Sequence, residues 1–231
     1  MLRPIRIFWL LALLLLPQYL WAETPPYLGQ THVDLVMLLA PPPAMDSQAQ
    51  AKEMNMLMTL QDNRTPAQAA KAKADQQRTV FQFGNILGPD FTAEKLPKAA
   101  EFFDKARKTA DDILDPAKAF WNRPRPYTAN PDIHPCVDKP NNASYPSGHS
   151  TFGTVMAVLL ANMLPEKKTE LFIRADEYGF ERNIGGVHYP TDVAAGRIAG
   201  TVIAAFMFAD PQFKTDFEQA KAEVRAVLGM K

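Results

Sequence analysis

Apolar positions recur with a helical period along most of the chain. From Leu96 to Ala117, Phe102, Phe103, Ala106, Ala110, Ile113 and Leu114 fall at three- and four-residue intervals, which predicts an amphipathic helix. From Thr151 to Leu164 the chain is almost wholly apolar, and a helix without a polar face must be buried. Asp46 or Ser47 is placed to cap a helix that carries Met54, Leu57, Met58 and Leu60. Methionines at such spacing are core filler rather than ligands. Thr65 to Phe83 is rich in Ala and Lys and reads as a solvated, charged face. Glu170–Arg182, a helix from Pro190 to about Ala209 and an amphipathic surface helix over Phe213–Leu228 complete the set. Pro190 suits the first position of its helix.

The breaks between these segments are equally legible. Thr31–Ala40 is apolar and ends at Pro41-Pro42-Pro43, which no helix continues through. Gly84–Pro89 reads as a loop, Pro124 and Pro126 force the passage from Lys118 to Tyr127 to be extended, residues 128–142 form a polar loop, and Pro165–Lys168 form another. Strand alternation is nearly absent. The expected fold is all-α, a single-domain helical bundle, and the length fits one domain.

The first residues change the picture of where the chain acts. Arg3 and Arg6 precede an apolar run, Ile7–Leu16, and Leu20-Trp21-Ala22 offers a small residue before Glu23. This is the plan of a signal peptide over residues 1–22, with residues 23–231 as the mature domain and the periplasm as its location. The alternative is an uncleaved anchor, against which the run falls short of the ~20 residues a span needs. Without the leader, 23 basic residues face 25 acidic ones, a net charge of about −2. No basic excess points to nucleic acid. Cys136 is the single cysteine and has no internal disulfide partner. Gly196 and Gly200 have the GxxxG spacing, which in a soluble chain means close helix packing.

Candidate chemistry gathers in two loops that each run into a helix. In Asn142–Thr151, Pro146 and Gly148 mark a turn, and Ser147 or Ser150 can cap the buried helix that follows. Free N–H groups at such a helix start favour an anion, and Gly148 lets the backbone approach it closely. His149 stands at that entrance as a proton donor. The second loop, Asn183–Asp192, puts His188 just ahead of a helix and Asp192 in its first turn. Lys118, Arg125 and Arg182 lie beside these loops in sequence, and arginine matches the oxygens of phosphate. No H-x-x-x-H, clustered Asp or Cys–His spacing suggests a metal site. His134 and His32, in loops, read as solvent-facing.

Lys118-x6-Arg125-Pro126, Pro146-Ser147-Gly148-His149 and Arg182-x5-His188-x3-Asp192 together resemble the three-part signature of the type 2 phosphatidic acid phosphatase superfamily, which vanadium haloperoxidases share. Within it, the chain most resembles the bacterial class A non-specific acid phosphatases. The segment Leu38–Ser47, the stretch Ser144–His149 and the tail Pro211–Glu223 resemble theirs. Departures from the class A pattern are Glu181 before the motif arginine, and Ala143 and Ser150 around the central motif.

The resemblance implies a helical bundle of the haloperoxidase type and a phosphoric monoester hydrolase of broad range. His188 would be the nucleophile, Asp192 would orient it and His149 would be the general acid. Lys118, Arg125, Arg182, Ser147 and Gly148 would bind the phosphoryl oxygens, with the amides of Ser147, Gly148 and His149 in the cradle. No cofactor and no metal are expected. The expected partners are small phosphate esters, with no nucleic acid and no stable membrane insertion after processing, and a homo-oligomer is left open. Three other readings stay open: a vanadate-dependent haloperoxidase-like enzyme, a lipid or diphosphate phosphatase of the same superfamily, and a non-catalytic phosphate-binding protein.

Overall fold

The computed structural model describes residues 26–29 and 31–230; the signal peptide expected over residues 1–22 lies outside them. Among the described residues there are ten α-helices and no strand. They are α1 (Leu35–Leu38), α2 (Gln48–Asp62), α3 (Pro66–Ala74), α4 (Gly84–Leu87), α5 (Pro97–Trp121), α6 (Pro126–Ala129), α7 (Gly148–Met163), α8 (Lys168–Ile184), α9 (Pro190–Met207) and α10 (Pro211–Val227). Short 3-10 turns occupy Val80–Phe83 and Pro165–Lys167. No single helix among these residues is long and apolar enough to cross a membrane.

Helix α7 is the axis of the bundle. Phe152, Val155, Met156, Leu159 and Leu160 are all buried, as its apolar sequence requires. Helices α8 and α9 flank it closely. Glycines allow this: a Cβ at Gly196 would stand 2.6 Å from the Ser147 carbonyl oxygen, and one at Gly200 would stand 2.6 Å from that of Thr151. The GxxxG spacing is therefore a helix-packing device. On the other side, α5 turns its apolar stripe inward and meets α10, where Phe102 lies 5.3 Å from Phe213 between ring centroids. Phe213, Phe217, Ala220 and Val224 bury the inner face of α10, and Asp210 caps its start.

Several boundaries differ from the sequence expectation. Ser47, not Asp46, caps α2, and Ser147, not Ser150, caps α7. The capped turns start the helices earlier than the apolar run alone indicates. The segment expected to be a loop at Gly84–Pro89 instead holds the single turn of α4, ended by Gly88 at φ 95°. Lys118 belongs to the last turn of α5 rather than to an extended passage. A proline restricts only the residue before it, so Pro124 leaves residues up to Trp121 free to stay helical. Asn122 closes the helix in the left-handed region at φ 41°, which asparagine tolerates. Pro126 starts α6 where a proline suits the first turn. The loop expected at Pro165–Lys168 is a 3-10 turn leading straight into α8.

Gly200→Ala separates packing from helix propensity. Alanine favours the helix by ~1 kcal/mol over glycine. The new methyl would also meet the Thr151 carbonyl oxygen at 2.6 Å and the Thr154 Cβ at 2.8 Å. Backbone of a core helix cannot give way cheaply, and overpacking of this kind costs ~1–3 kcal/mol. Urea denaturation should find the variant less stable than wild type; equal or greater stability would contradict the close α7–α9 seam.

Candidate active site

The start of α9 fixes a histidine–carboxylate pair. Asp192, at the third position of the helix, accepts the Tyr189 amide at Oδ2 (2.9 Å) and so caps its own first turn. The same oxygen lies 3.2 Å from His188 Nδ1 and also accepts the Ser144 hydroxyl. A carboxylate only accepts, so Nδ1 carries the ring proton and Nε2 carries the lone pair. Arg125 donates to that lone pair from Nη1 at 2.9 Å. Asn183 Nδ2 holds the His188 carbonyl at 2.9 Å, and Gly186, at φ 73°, makes the turn that brings the histidine back. Both His188 and Asp192 are buried.

Three cations surround this pair, each out of water. Lys118 Nζ donates to the Ala143 and Pro146 carbonyls at 2.9 and 2.7 Å, pinning the loop ahead of α7. Burial, with Arg125 close by, pushes the Lys118 ammonium down to about 7. Arg125 donates to Asn142 O (2.9 Å), Asn142 Oδ1 (2.6 Å) and Val187 O (2.8 Å), and burial pushes it down to about 10. Arg182, on the last turn of α8, is 1% exposed; its Nη1 reaches only Ala72 O at 3.4 Å, and its Nε has no partner among the described residues. Burial holds its guanidinium below the ordinary arginine range.

A cavity of about 290 Å³ opens onto these groups, its wall including Arg78, Lys118, Arg125, Gly148, His149 and His188. His149, the second residue of α7, donates from Nε2 to Gln76 O at 2.9 Å and stacks on Tyr178 at 5.7 Å. Burial first, then Arg182, holds the His149 ring well below the usual imidazole range. Burial first, then Arg125, Lys118 and Arg182, does the same to His188. His188 is thus a neutral ring whose lone pair faces a positively charged pocket. Such a group can act as a nucleophile toward an oxyanion's central atom. A larger cleft of about 360 Å³ between Tyr27, α5 and α10 holds no comparable set.

The sequence candidates therefore come together around one cavity, with two qualifications. Ser147, Arg182 and Asp192 are not on the cavity lining. The Ser147 amide, expected in an anion cradle, donates to Asp192 O at 2.9 Å, because the glycine contact at Gly196 draws α9 onto this turn. Glu181 turns toward α3, 3.5 Å from Lys71 Nζ. His32 and His134 are exposed and away from the site. Cys136 is a free, partly buried thiol. The sequence reading missed Arg123 and Ser144, which donate to Asp192, Glu53 and Gln50, which hold Arg123, and Arg78, which pairs with Asp111 beside the cavity. One signal was available: Gln50, Glu53 and Leu57 share a helical face, so two polar residues point where α2 is buried.

A family model described as the PAP2 superfamily matches residues 109–216. The chain is 29% identical over 202 residues to an acid phosphatase of Zymomonas mobilis subsp. mobilis, covering 84% of this chain and 76% of that one. It is 28% identical over 224 residues to a non-specific acid phosphatase of Salmonella typhimurium, covering 91% and 89%. Among solved structures, a bacterial vanadium-dependent iodoperoxidase aligns with a TM-score of 0.59 and 20% identity, over 74% of this chain and 52% of that one. At that identity the likeness is one of fold.

The depressed rings give a prediction with a definite sign. Between the usual imidazole value of ~6.5 and the lower folded values, the unfolded chain binds protons that the folded chain refuses. Stability should therefore fall as pH falls through this window. Nitrogen-15 NMR of the ligand-free protein should show both cavity histidines neutral at pH 6.5. Inorganic phosphate, by offsetting the cations, should raise the His149 midpoint. A free-protein midpoint at or above ~6.5 for either ring would contradict the buried, cation-lined geometry.

Proposed function

We propose that this chain, which carries a PAP2 superfamily domain, is an exported acid phosphatase that hydrolyses small phosphate monoesters through a phosphohistidine. The observation that carries the reading is the His188 Nε2 lone pair, fixed by Asp192 and facing a cavity with buried cations. The unpartnered Nε of buried Arg182 supports it further, since a buried guanidinium that lacks acceptors is suited to an oxyanion. Residues 1–22 would be the leader and residues 23–231 the working domain, a plan that rests on Arg3, Arg6 and the Ile7–Leu16 run. A broad range follows from where the contacts are: they serve the phosphoryl group, not the rest of the ester.

In this reading Lys118, Arg125, Arg182 and the amides of Gly148 and His149 hold the phosphoryl oxygens. Charge that develops on those oxygens meets donors already in place, which is most of what phosphoryl transfer requires. Arg125 Nη1, which donates to Nε2 in the free protein, turns to a phosphoryl oxygen, and the freed His188 Nε2 lone pair forms a bond to phosphorus as the ester P–O bond breaks. His149, charged once the phosphate sits beside it, gives its proton to the departing alcohol. It then takes a proton from the water that attacks phosphorus, the N–P bond breaks, and the electron pair returns to Nε2.

The two histidines should fail in different ways. His188→Ala should abolish turnover and any acid-labile phosphoenzyme. His149→Ala should lose alkyl phosphates most, because an alkoxide needs the proton, by the ~10²–10⁴-fold typical of general acid help. It should still transfer phosphate from p-nitrophenyl phosphate, whose leaving group departs unaided, and accumulate phosphoenzyme. Rapid mixing with both ester types reads this out. Phosphoenzyme in His188→Ala, or equal losses on both esters in His149→Ala, would reverse or remove the assigned roles.

A further inference from the structure

Arg123 lies outside the cavity wall, yet it is a buried cation bonded directly to Asp192. It is 3% exposed. Nη1 donates to Asp192 Oδ1 at 2.6 Å and to Thr191 Oγ1 at 2.8 Å. Nη2 donates to Glu53 Oε2 at 2.7 Å and to Gln50. Its guanidinium carbon lies 4.0 Å from the Tyr189 ring centroid. Glu53 in turn accepts the Thr191 amide at 2.6 Å, so α2 is tied to the first turn of α9 through this cluster. Asp192 therefore has four donors: Arg123, Ser144, the Tyr189 amide and His188. With Arg123 on Oδ1 and Ser144, the Tyr189 amide and His188 on Oδ2, the carboxylate is fixed in place as a hydrogen-bond acceptor.

We propose that Arg123 is a positioning residue of the reaction: by holding Asp192 Oδ1 it fixes Oδ2 as the acceptor of the His188 Nδ1 hydrogen bond, so that the phosphorylated ring keeps that proton and stays an imidazolium. The proposal rests on the phosphohistidine reading above. The consequence falls on the second step. When water's oxygen bonds to phosphorus and the N–P bond breaks, the pair returns to Nε2. With Nδ1 protonated the ring leaves as neutral imidazole; with the proton lost to Asp192 it would have to leave as imidazolate. Arg123 thus favours dephosphorylation, while the first transfer, which needs only the Nε2 lone pair, depends on it less.

Glu53 gives the test an opposite sign. Its carboxylate shares the Arg123 guanidinium with Asp192, so Glu53→Gln should leave Arg123 bound more strongly to Asp192. The experiment is rapid quenching of the full chain with p-nitrophenyl phosphate, measuring the phosphoenzyme fraction and the burst of p-nitrophenolate. Arg123→Gln should keep the burst, slow dephosphorylation on the order of 10–100-fold, the size of one hydrogen bond to a charged group, and raise the phosphoenzyme fraction. Arg123→Lys should restore most of the rate, and Glu53→Gln should lower the phosphoenzyme fraction. Should Arg123→Gln not fold, Ser144→Ala removes a neutral donor from the same carboxylate and must raise the fraction. Phosphoenzyme fractions that stay at the wild-type level, or move the same way in the Arg123 and Glu53 variants, overturn the proposal. If neither wild type nor His149→Ala forms phosphoenzyme, the phosphohistidine reading falls and this inference falls with it.

Discussion

The hydrogen bond between His188 Nδ1 and Asp192 sets the terms for the rest of the site. It decides which ring nitrogen bears the proton and therefore which one faces the cavity. The bond exists because both residues sit at one helix start, four positions apart. The carboxylate that orients the ring also caps that start through the Tyr189 amide. Folding α9 and preparing the histidine are thus one event. Asp192 is fully buried, so its charge must be met inside the protein, and Arg123, Ser144 and the helix start meet it.

Burial of charge is the second theme. A buried ion pair adds little net stability against an apolar substitute, but removing one partner costs ~3–5 kcal/mol. Arg123 is paired with the two carboxylates Glu53 and Asp192. Arg174 and Asp75 form a second pair, joined at 2.6 and 2.9 Å, which braces the loop carrying Gln76 against α8. His149 reaches that same loop through the Gln76 carbonyl. Lys118 and Arg125 are met mainly by carbonyl dipoles, and Arg182 hardly at all. The supporting arginines are paired with carboxylates, whereas Lys118 and Arg125 on the cavity wall, and Arg182 off it, are not, and this contrast suits the pocket to an anion. Tight seams make it hold: the α7–α9 contact at Gly196 places the Ser147 turn and the Asp192 turn together, with no side chain between them.

Much of this was legible in the sequence because it is local. Ser147-Gly148-His149 at a helix start, and His188 four residues before Asp192, are spacings that a single turn translates into geometry. The helices were visible because α5 carries one apolar stripe and α7 is apolar all round. What stayed hidden depends on contacts far apart in the chain. Arg123 looked like one more charge in a basic passage, since its partners Glu53 and Asp192 lie 70 and 69 residues away. The Ser147 amide looked free because a helix start usually leaves it so; only the close approach of α9 gives it an acceptor. Lys118 stays helical despite the prolines that follow it, because Pro124 constrains only its immediate neighbour.

The central claim is that His188 Nε2 is aimed at the central atom of a bound phosphoryl group. A crystal structure of the protein with vanadate, a five-coordinate mimic of that group, tests it most directly. The account predicts vanadium at bonding distance from His188 Nε2, with Nδ1 still on Asp192 and the Arg182 Nε donating to a vanadate oxygen. Vanadate bonded to His149, seated away from both rings, or bound with His188 turned off Asp192 would contradict it.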